Sequence, residues 1–179
     1  TISRQFGCYG FSLGLLLLEI LNEDAEPGQA WKIYHKEILA KIASEMNVDE
    51  EVLERQRRAR PRAIVDFFRA LSGDKTPSGH KVRNQMTEII RDLAGQGHAI
   101  IVGEGGATAT RDLPNGLAIR LEAPTEWRVK QVAFREDLSE TEARLRVQDR
   151  DQEGEYLREV YQRQFPNRPL FDITYDCSG

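Results

Sequence analysis

Thr1-Ile2-Ser3-Arg4-Gln5-Phe6-Gly7-Cys8-Tyr9-Gly10-Phe11-Ser12-Leu13-Gly14 opens the chain, and its order of residue types decides the fold class. The first six residues suit a β-strand, Gly7 and Gly10 punctuate the chain, and a helix-forming run covers 12–21. Strand, glycine loop and helix in that order bring backbone N–H groups to a helix N-terminus. There the chain can curl close to an anion, and the helix dipole favours negative charge. The same residues also suit a βα turn whose glycines only permit tight packing. Leu13, Leu15, Leu16, Leu17, Leu18, Ile20 and Leu21 surround the helix on every side, so burial between a sheet and other helices is expected.

Working outward, residues 22–30 are acidic, hold Pro27-Gly28 and read as a loop. A helical pattern then fills 36–97, with helices at 37–46, 49–58, 61–71 and 80–93. Two short apolar runs, 98–102 and 117–121, read as strands of a parallel sheet. An amphipathic helix is expected over 125–137, and Ser139 with Glu142 forms a capping box that starts another. After the charged stretch 148–155, residues 156–165 read as helix and 170–175 as the last strand. Strands alternating with helices predict an α/β fold with helices on both faces of a parallel sheet, in one domain spanning 1–179.

Composition narrows the function classes. The 179 residues are 40% hydrophobic and 30% charged, which excludes a disordered tail and a disulfide scaffold. Lys+Arg 25 against Asp+Glu 29 leaves a net charge of −4, without the global positive field that gathers nucleic acid. The arginines 55, 57, 58, 60 and 62 are flanked by Asp49, Glu50, Glu51 and Glu54 and lack interleaved aromatics, so they read as a solvated helix face. At helical spacing, Arg55, Arg58 and Arg62 can alternatively line an acceptor-phosphate cleft. The longest apolar stretch, 13–18, is broken by Gly14 and far shorter than the roughly 20 residues a bilayer requires. With only Cys8 and Cys177, the expectation is a cytoplasmic protein without membrane contact. His35, His80 and His98 show no ligand spacing for zinc.

Two nucleotide-binding fingerprints test the loop. The phosphate-loop pattern GxxxxGK followed by Ser or Thr, aligned on Gly10, puts Gln5 at its first glycine, Phe11 at its lysine and Ser12 at its hydroxyl. Two of its four fixed positions match. The dinucleotide pattern GxGxxG fails, because Gly7, Gly10 and Gly14 are spaced differently and Glu26, at the expected acidic position, enters a Pro/Gly loop.

Several segments together resemble one family. Ile2 through Gly7, followed by Gly10, is similar to the ISREFGSGG or ISRQFGSGG opening of the cytidylate-kinase-like proteins, a branch of the nucleoside-monophosphate kinases. Tyr34-His35-Lys36-Glu37-Ile38-Leu39 resembles their YDKEIL segment, and Ile100-Ile101-Val102-Gly103-Glu104-Gly105-Gly106 resembles their IIVGRGA. The stretch from Arg111-Asp112-Leu113-Pro114-Asn115 through Arg120-Leu121-Glu122-Ala123-Pro124 is similar to the next loop and strand. Asp149-Arg150, with Tyr156-Leu157-Arg158 beyond, resembles the mobile lid, here about 139–156.

The resemblance implies a three-layer P-loop kinase fold with a helical lid and an acceptor region at about 36–97. Its implied activity is transfer of the ATP γ-phosphoryl group, with Mg²⁺, to a nucleoside monophosphate or similar small acceptor. Such chemistry needs a phosphate cradle, a metal-holding hydroxyl and cations on the equatorial oxygens. By resemblance, Gly7, Cys8, Tyr9, Gly10, Phe11 and Ser12 form the cradle, and Ser12 also holds the metal. Arg128, Arg150 and Arg144 supply catalytic cations, while Lys36, Glu104 and Arg4 contact the acceptor. Arg146 is a further lid cation, the carboxylates Asp149 and Asp151 fit metal or ribose binding in the lid as well as a merely charged loop, and a homodimer is allowed. The chain departs from the family pattern at Phe11, where relatives carry a basic residue, and at Tyr9, where glycine is usual. It departs again at Glu104 for arginine and His35 for aspartate. These changes leave open the alternative of a kinase-like nucleotide-binding or regulatory protein with impaired catalysis.

Overall fold

A computed structural model describes residues 1–35, 79–163 and 170–179. The helices expected at 37–46, 49–58 and 61–71, together with Lys36 and the arginines 55–62, lie outside the described residues. In chain order the elements are β1 (Ile2–Arg4), α1 (Gly10–Asn22), β2 (Lys32–Tyr34), α2 (Gly79–Gly95) and β3 (Ala99–Ile101). They continue with α3 (Gly106–Ala109), β4 (Ile119–Glu122), α4 (Thr125–Glu136), α5 (Glu140–Gln162) and β5 (Ile173–Asp176).

Among the described residues every strand pairing is parallel. β4 sits between β1 and β5, with Ile119 opposite both Ile2 and Ile173, while β2 pairs with β3 through Ile33 opposite Ile100. A parallel bridge between Ile2 and Val102, with Gly103 N–H donating to Ile2 O at 2.8 Å, joins the two sheets. The strands therefore follow the order β2, β3, β1, β4, β5. Parallel neighbours require crossovers, and the helices supply them.

Side-chain alternation along β3 divides the core. Ile100 joins Ile2, Cys8, Val102, Leu121 and Ala123, against which Leu13, Leu17 and Leu18 of α1 pack. Ile101 points the other way, into a cluster with Met86, Ile89 and Ile90 of α2 and Ala109 of α3. A run of three apolar residues in β3 is thus buried from both sides, as parallel sheets require. Each fully buried Ile or Val contributes about 1.5–3 kcal/mol. A third cluster, Val129, Val132, Ala143 and Val147, fastens α4 to α5 and takes Phe6 as a partly buried neighbour.

The apolar run in α1 is less enclosed than its composition predicts. Its buried residues are Gly10 and Gly14, whereas Leu15, Leu16 and Ile20 are 45%, 58% and 60% exposed. The cause is close approach on one side: a Cβ at Gly14 would lie 2.7 Å from Ile33 Cδ1 and 3.1 Å from Val102 Cγ2. The glycine pulls one face onto the sheet, and the leucines opposite turn outward.

Two further expectations change. Residues 148–155 continue α5 as one helix through Gln162, since Gln, Arg and Glu are good helix formers and Gly154 costs only about 1 kcal/mol in a helix interior. Strand β2 and the short α3 were not anticipated, because three or four residues give too few repeats for a period to show. The capping box is observed: Ser139 N–H donates to Glu142 Oε2 at 2.9 Å, and Glu142 N–H returns to Ser139 Oγ at 3.3 Å. The Ser139 hydroxyl, which donates to the same carboxylate oxygen, and the Ser139 N–H together hold the Glu142 carboxyl below its usual range. Among the described residues, no helix is long and apolar enough to cross a membrane.

Candidate functional site

The glycine loop leaves β1 at its C-terminal end, where ligands of open α/β sheets gather. Gln5 extends the strand by donating its N–H to Leu121 O at 3.0 Å, and its side-chain Oε1 accepts Ala123 N–H at 3.0 Å. The chain then turns: Cys8 N–H donates to Gln5 O at 3.2 Å, with Gly7 at φ +96°. A side chain at Gly7 would be strained by this φ and would meet Arg128 Cβ at 2.9 Å. Among the described residues no side chain caps α1, so its first-turn amides, which lack intrahelical acceptors, belong to the loop.

The two bulky residues of the loop go to opposite sides. The Tyr9 ring stands edge-on to Trp127, with centroids 6.0 Å apart, and its hydroxyl donates to Gln131 Oε1. Phe11 instead stacks on His35 at 5.5 Å with a 35° tilt. Tyr9 is thereby held on α4 and Phe11 at the end of β2. Ser12 is exposed in the first turn of α1.

A polar group lies beside Phe11. The Arg4 stem runs under Gly10, whose Cβ would be 3.1 Å from Arg4 Cγ, and Arg4 Nη2 is 3.0 Å from His35 Nε2. His35 Nε2 in turn is 3.9 Å from Glu104 Oε1, and both side chains are largely buried. Glu104 belongs to a run of three left-handed residues, at φ +77°, +55° and +80° from Gly103 to Gly105. Such a run curls the chain tightly after β3 and brings the carboxylate back toward β2. Arg4, Phe11, His35 and Glu104 thus meet at one end of the sheet.

The anticipated cations do not meet at one point. Arg128 is only 2% exposed, and all five of its N–H donors are used by the protein. Nε donates to Ala123 O at 2.9 Å, and Nη1 to Phe6 O at 3.1 Å and Asp151 Oδ1 at 2.9 Å. Nη2 serves Thr125 Oγ1 at 3.2 Å and Asp151 Oδ2 at 2.8 Å. In this arrangement Arg128 has no donor left for a phosphate. Arg144 forks onto the Glu126 carboxylate through two 2.6 Å bonds, which hold that carboxyl below its usual range. Arg146 pairs with Glu136 at 3.0 Å. The Arg150 guanidinium lies 5.9 Å from the Phe6 ring centroid, and that of Arg135 lies 5.8 Å from the same centroid. Of the lid arginines, Arg150 is the one placed next to the loop.

Cys8 and Cys177 are neighbours at the sheet end. Cys177 donates its N–H to Glu122 O at 2.9 Å, and burial together with the adjacent Cys177 thiol pushes the Cys8 thiol up to about 12. A thiol so poorly ionised is no nucleophile. Asp151 and Gln131 are the residues whose roles the sequence concealed. Their partners, Arg128 and Tyr9, lie 23 and 122 positions away, beyond any helical or strand spacing.

Comparison with known proteins gives the site its context. The family model described as the cytidylate kinase-like family matches residues 1–179. No curated protein matches the chain. The chain is similar in fold to a crystal structure of an uncharacterized protein from Eubacterium ventriosum ATCC 27560, at TM-score 0.62 and 18% identity, covering 98% of this chain and 85% of that one.

Proposed function

The chain belongs to the cytidylate kinase-like family, and from that premise we propose that it is a phosphotransferase moving the γ-phosphoryl group of ATP to a small nucleotide acceptor. The observation that carries this reading is the glycine loop running from β1 into the uncapped first turn of α1. The strand order β2, β3, β1, β4, β5, with α1 on one face and α2 on the other, supports a three-layer P-loop arrangement around it.

In this reading the amides of residues 7–12 cradle the β- and γ-phosphates. Phe11 supplies no charge there, and of the lid arginines Arg150, 5.9 Å from the Phe6 ring centroid, is the one that takes over that role in this reading. Mg²⁺ bound through phosphates needs few protein ligands, and the exposed Ser12 hydroxyl on the first turn fits that role. Bound there, the ion would neutralise charge developing on the bridging and terminal oxygens. Arg4, His35 and Glu104 form the wall facing the acceptor, where Glu104 accepts hydrogen bonds rather than donating them.

The test is a titration with ATP in millimolar Mg²⁺, followed by incubation with a panel of nucleoside monophosphates and assay for ADP. Folded protein that binds neither ATP nor GTP overturns the reading. A second reading, nucleotide binding without turnover, is favoured by the complete use of the Arg128 donors. Binding without ADP formation across the panel selects it.

A further inference from the structure

Arg128 is built as a support for the loop. Its stem fills the space that a side chain at Gly7 would take, its Nη1 holds the carbonyl immediately before Gly7, and its Nε holds the carbonyl of Ala123 just after β4. Asp151 neutralises the buried guanidinium with a two-point grip from α5. Two other contacts, Tyr9 with Trp127 and with Gln131, tie the same loop to the same helix. Loop, α4 and α5 are therefore linked through one side chain.

We propose that Arg128 is a positioning residue that sets the shape of the glycine loop, and that Asp151 holds it in that role and so couples α5 to the loop. A carboxylate in a guanidinium fork can serve the opposite purpose. It can stand in for a phosphate and latch the arginine away from the ligand. Two features favour support over latch. The guanidinium is buried, and three of its five bonds go to groups that no ligand would displace, namely Phe6 O, Ala123 O and Thr125 Oγ1.

The two roles predict opposite signs for Asp151→Asn, which keeps the shape and removes the charge. Amide hydrogen exchange should speed about tenfold at residues 7–12 while β1 and β4 stay protected, and the Kd for Mg·ATP should rise about tenfold, the weight of one charge-assisted bond. Tighter ATP binding in that variant would establish the latch and overturn the proposal, as would unchanged exchange in the loop. Arg128→Lys, which keeps the charge but has three donors, should repeat the exchange effect; protection restored by lysine counts against a geometric role. If Asp151→Asn does not fold, Thr125→Val removes one acceptor at the edge of the network and should loosen the same amides more weakly. The binding readout rests on the loop being a phosphate cradle. Should the native chain bind no ATP, that reading fails while the exchange result still decides this one.

Discussion

His35 Nε2 stands 3.9 Å from Glu104 Oε1, so two positions at which this chain departs from its family's pattern face each other. The segments they resemble carry aspartate at the first and arginine at the second. Relative to those segments, the carboxylate stands in the loop after β3 and the imidazole follows β2, an exchange of residue types across one contact, with Arg4 3.0 Å from the imidazole.

A double-mutant cycle checks the exchange. Glu104→Arg alone sets a second guanidinium beside Arg4, and His35→Asp alone sets a carboxylate against Glu104. Each should cost about 1–3 kcal/mol in urea denaturation, as for a buried group deprived of its partner. The double variant should recover part of the summed loss, a coupling of about 0.5–3 kcal/mol. Strictly additive losses would show that the two side chains do not interact.

Phe11→Lys should strengthen nucleotide binding. Phe11 is 43% exposed and rests on His35, so its removal costs little packing, while lysine restores a cation to the first turn of α1. One charge-assisted contact, about 1.5–3 kcal/mol, corresponds to roughly 10- to 100-fold in the Kd for Mg·ATP by calorimetry. An unchanged Kd would place position 11 away from the phosphates.

The buried Cys8 thiol predicts a pH dependence with a definite sign. Its value is raised from 9.0 to about 12, so the folded state holds this proton more tightly than the unfolded one. The contribution to stability is complete below about pH 9 and is lost as pH rises toward 12. Since other groups also titrate there, the measurement is a comparison. The stability difference between the native chain and Cys8→Ala, by denaturant unfolding, should shrink between pH 8.5 and about 11. Iodoacetamide should label Cys177 well before Cys8, since only the thiolate reacts.

The strand, loop and helix at the N-terminus were legible because glycine spacing and a change of residue type mark them, and the capping box was legible because both partners lie within four residues. What the sequence hid is tertiary. A run of leucines in α1 says nothing about which face a glycine will draw onto the sheet. Arg128 looked like a cation for phosphate because an arginine reads the same whether its fork holds a ligand or Asp151. Phe11 and Tyr9 read as two departures within one loop, and only His35 and Trp127 reveal that they diverge.

Gly103→Ala separates backbone strain from side-chain crowding at the site. Position 103 has φ +77°, which costs an L-residue about 1–2 kcal/mol wherever it occurs. Crowding is separate: a Cβ there would fall 1.7 Å from Arg4 Nη1 and 2.7 Å from Cζ. The guanidinium is the far end of a flexible chain, so it can move, but only by leaving His35 Nε2. In the native background alanine should therefore cost both contributions, whereas with Arg4→Met, which keeps the stem beneath Gly10, only the backbone cost remains. The difference between backgrounds, about 1 kcal/mol for the lost contact, is read from thermal or urea unfolding. Equal costs in the two backgrounds would mean that Arg4 does not lie over Gly103, and the link from the glycine loop through Arg4 to His35 and Glu104 would be broken.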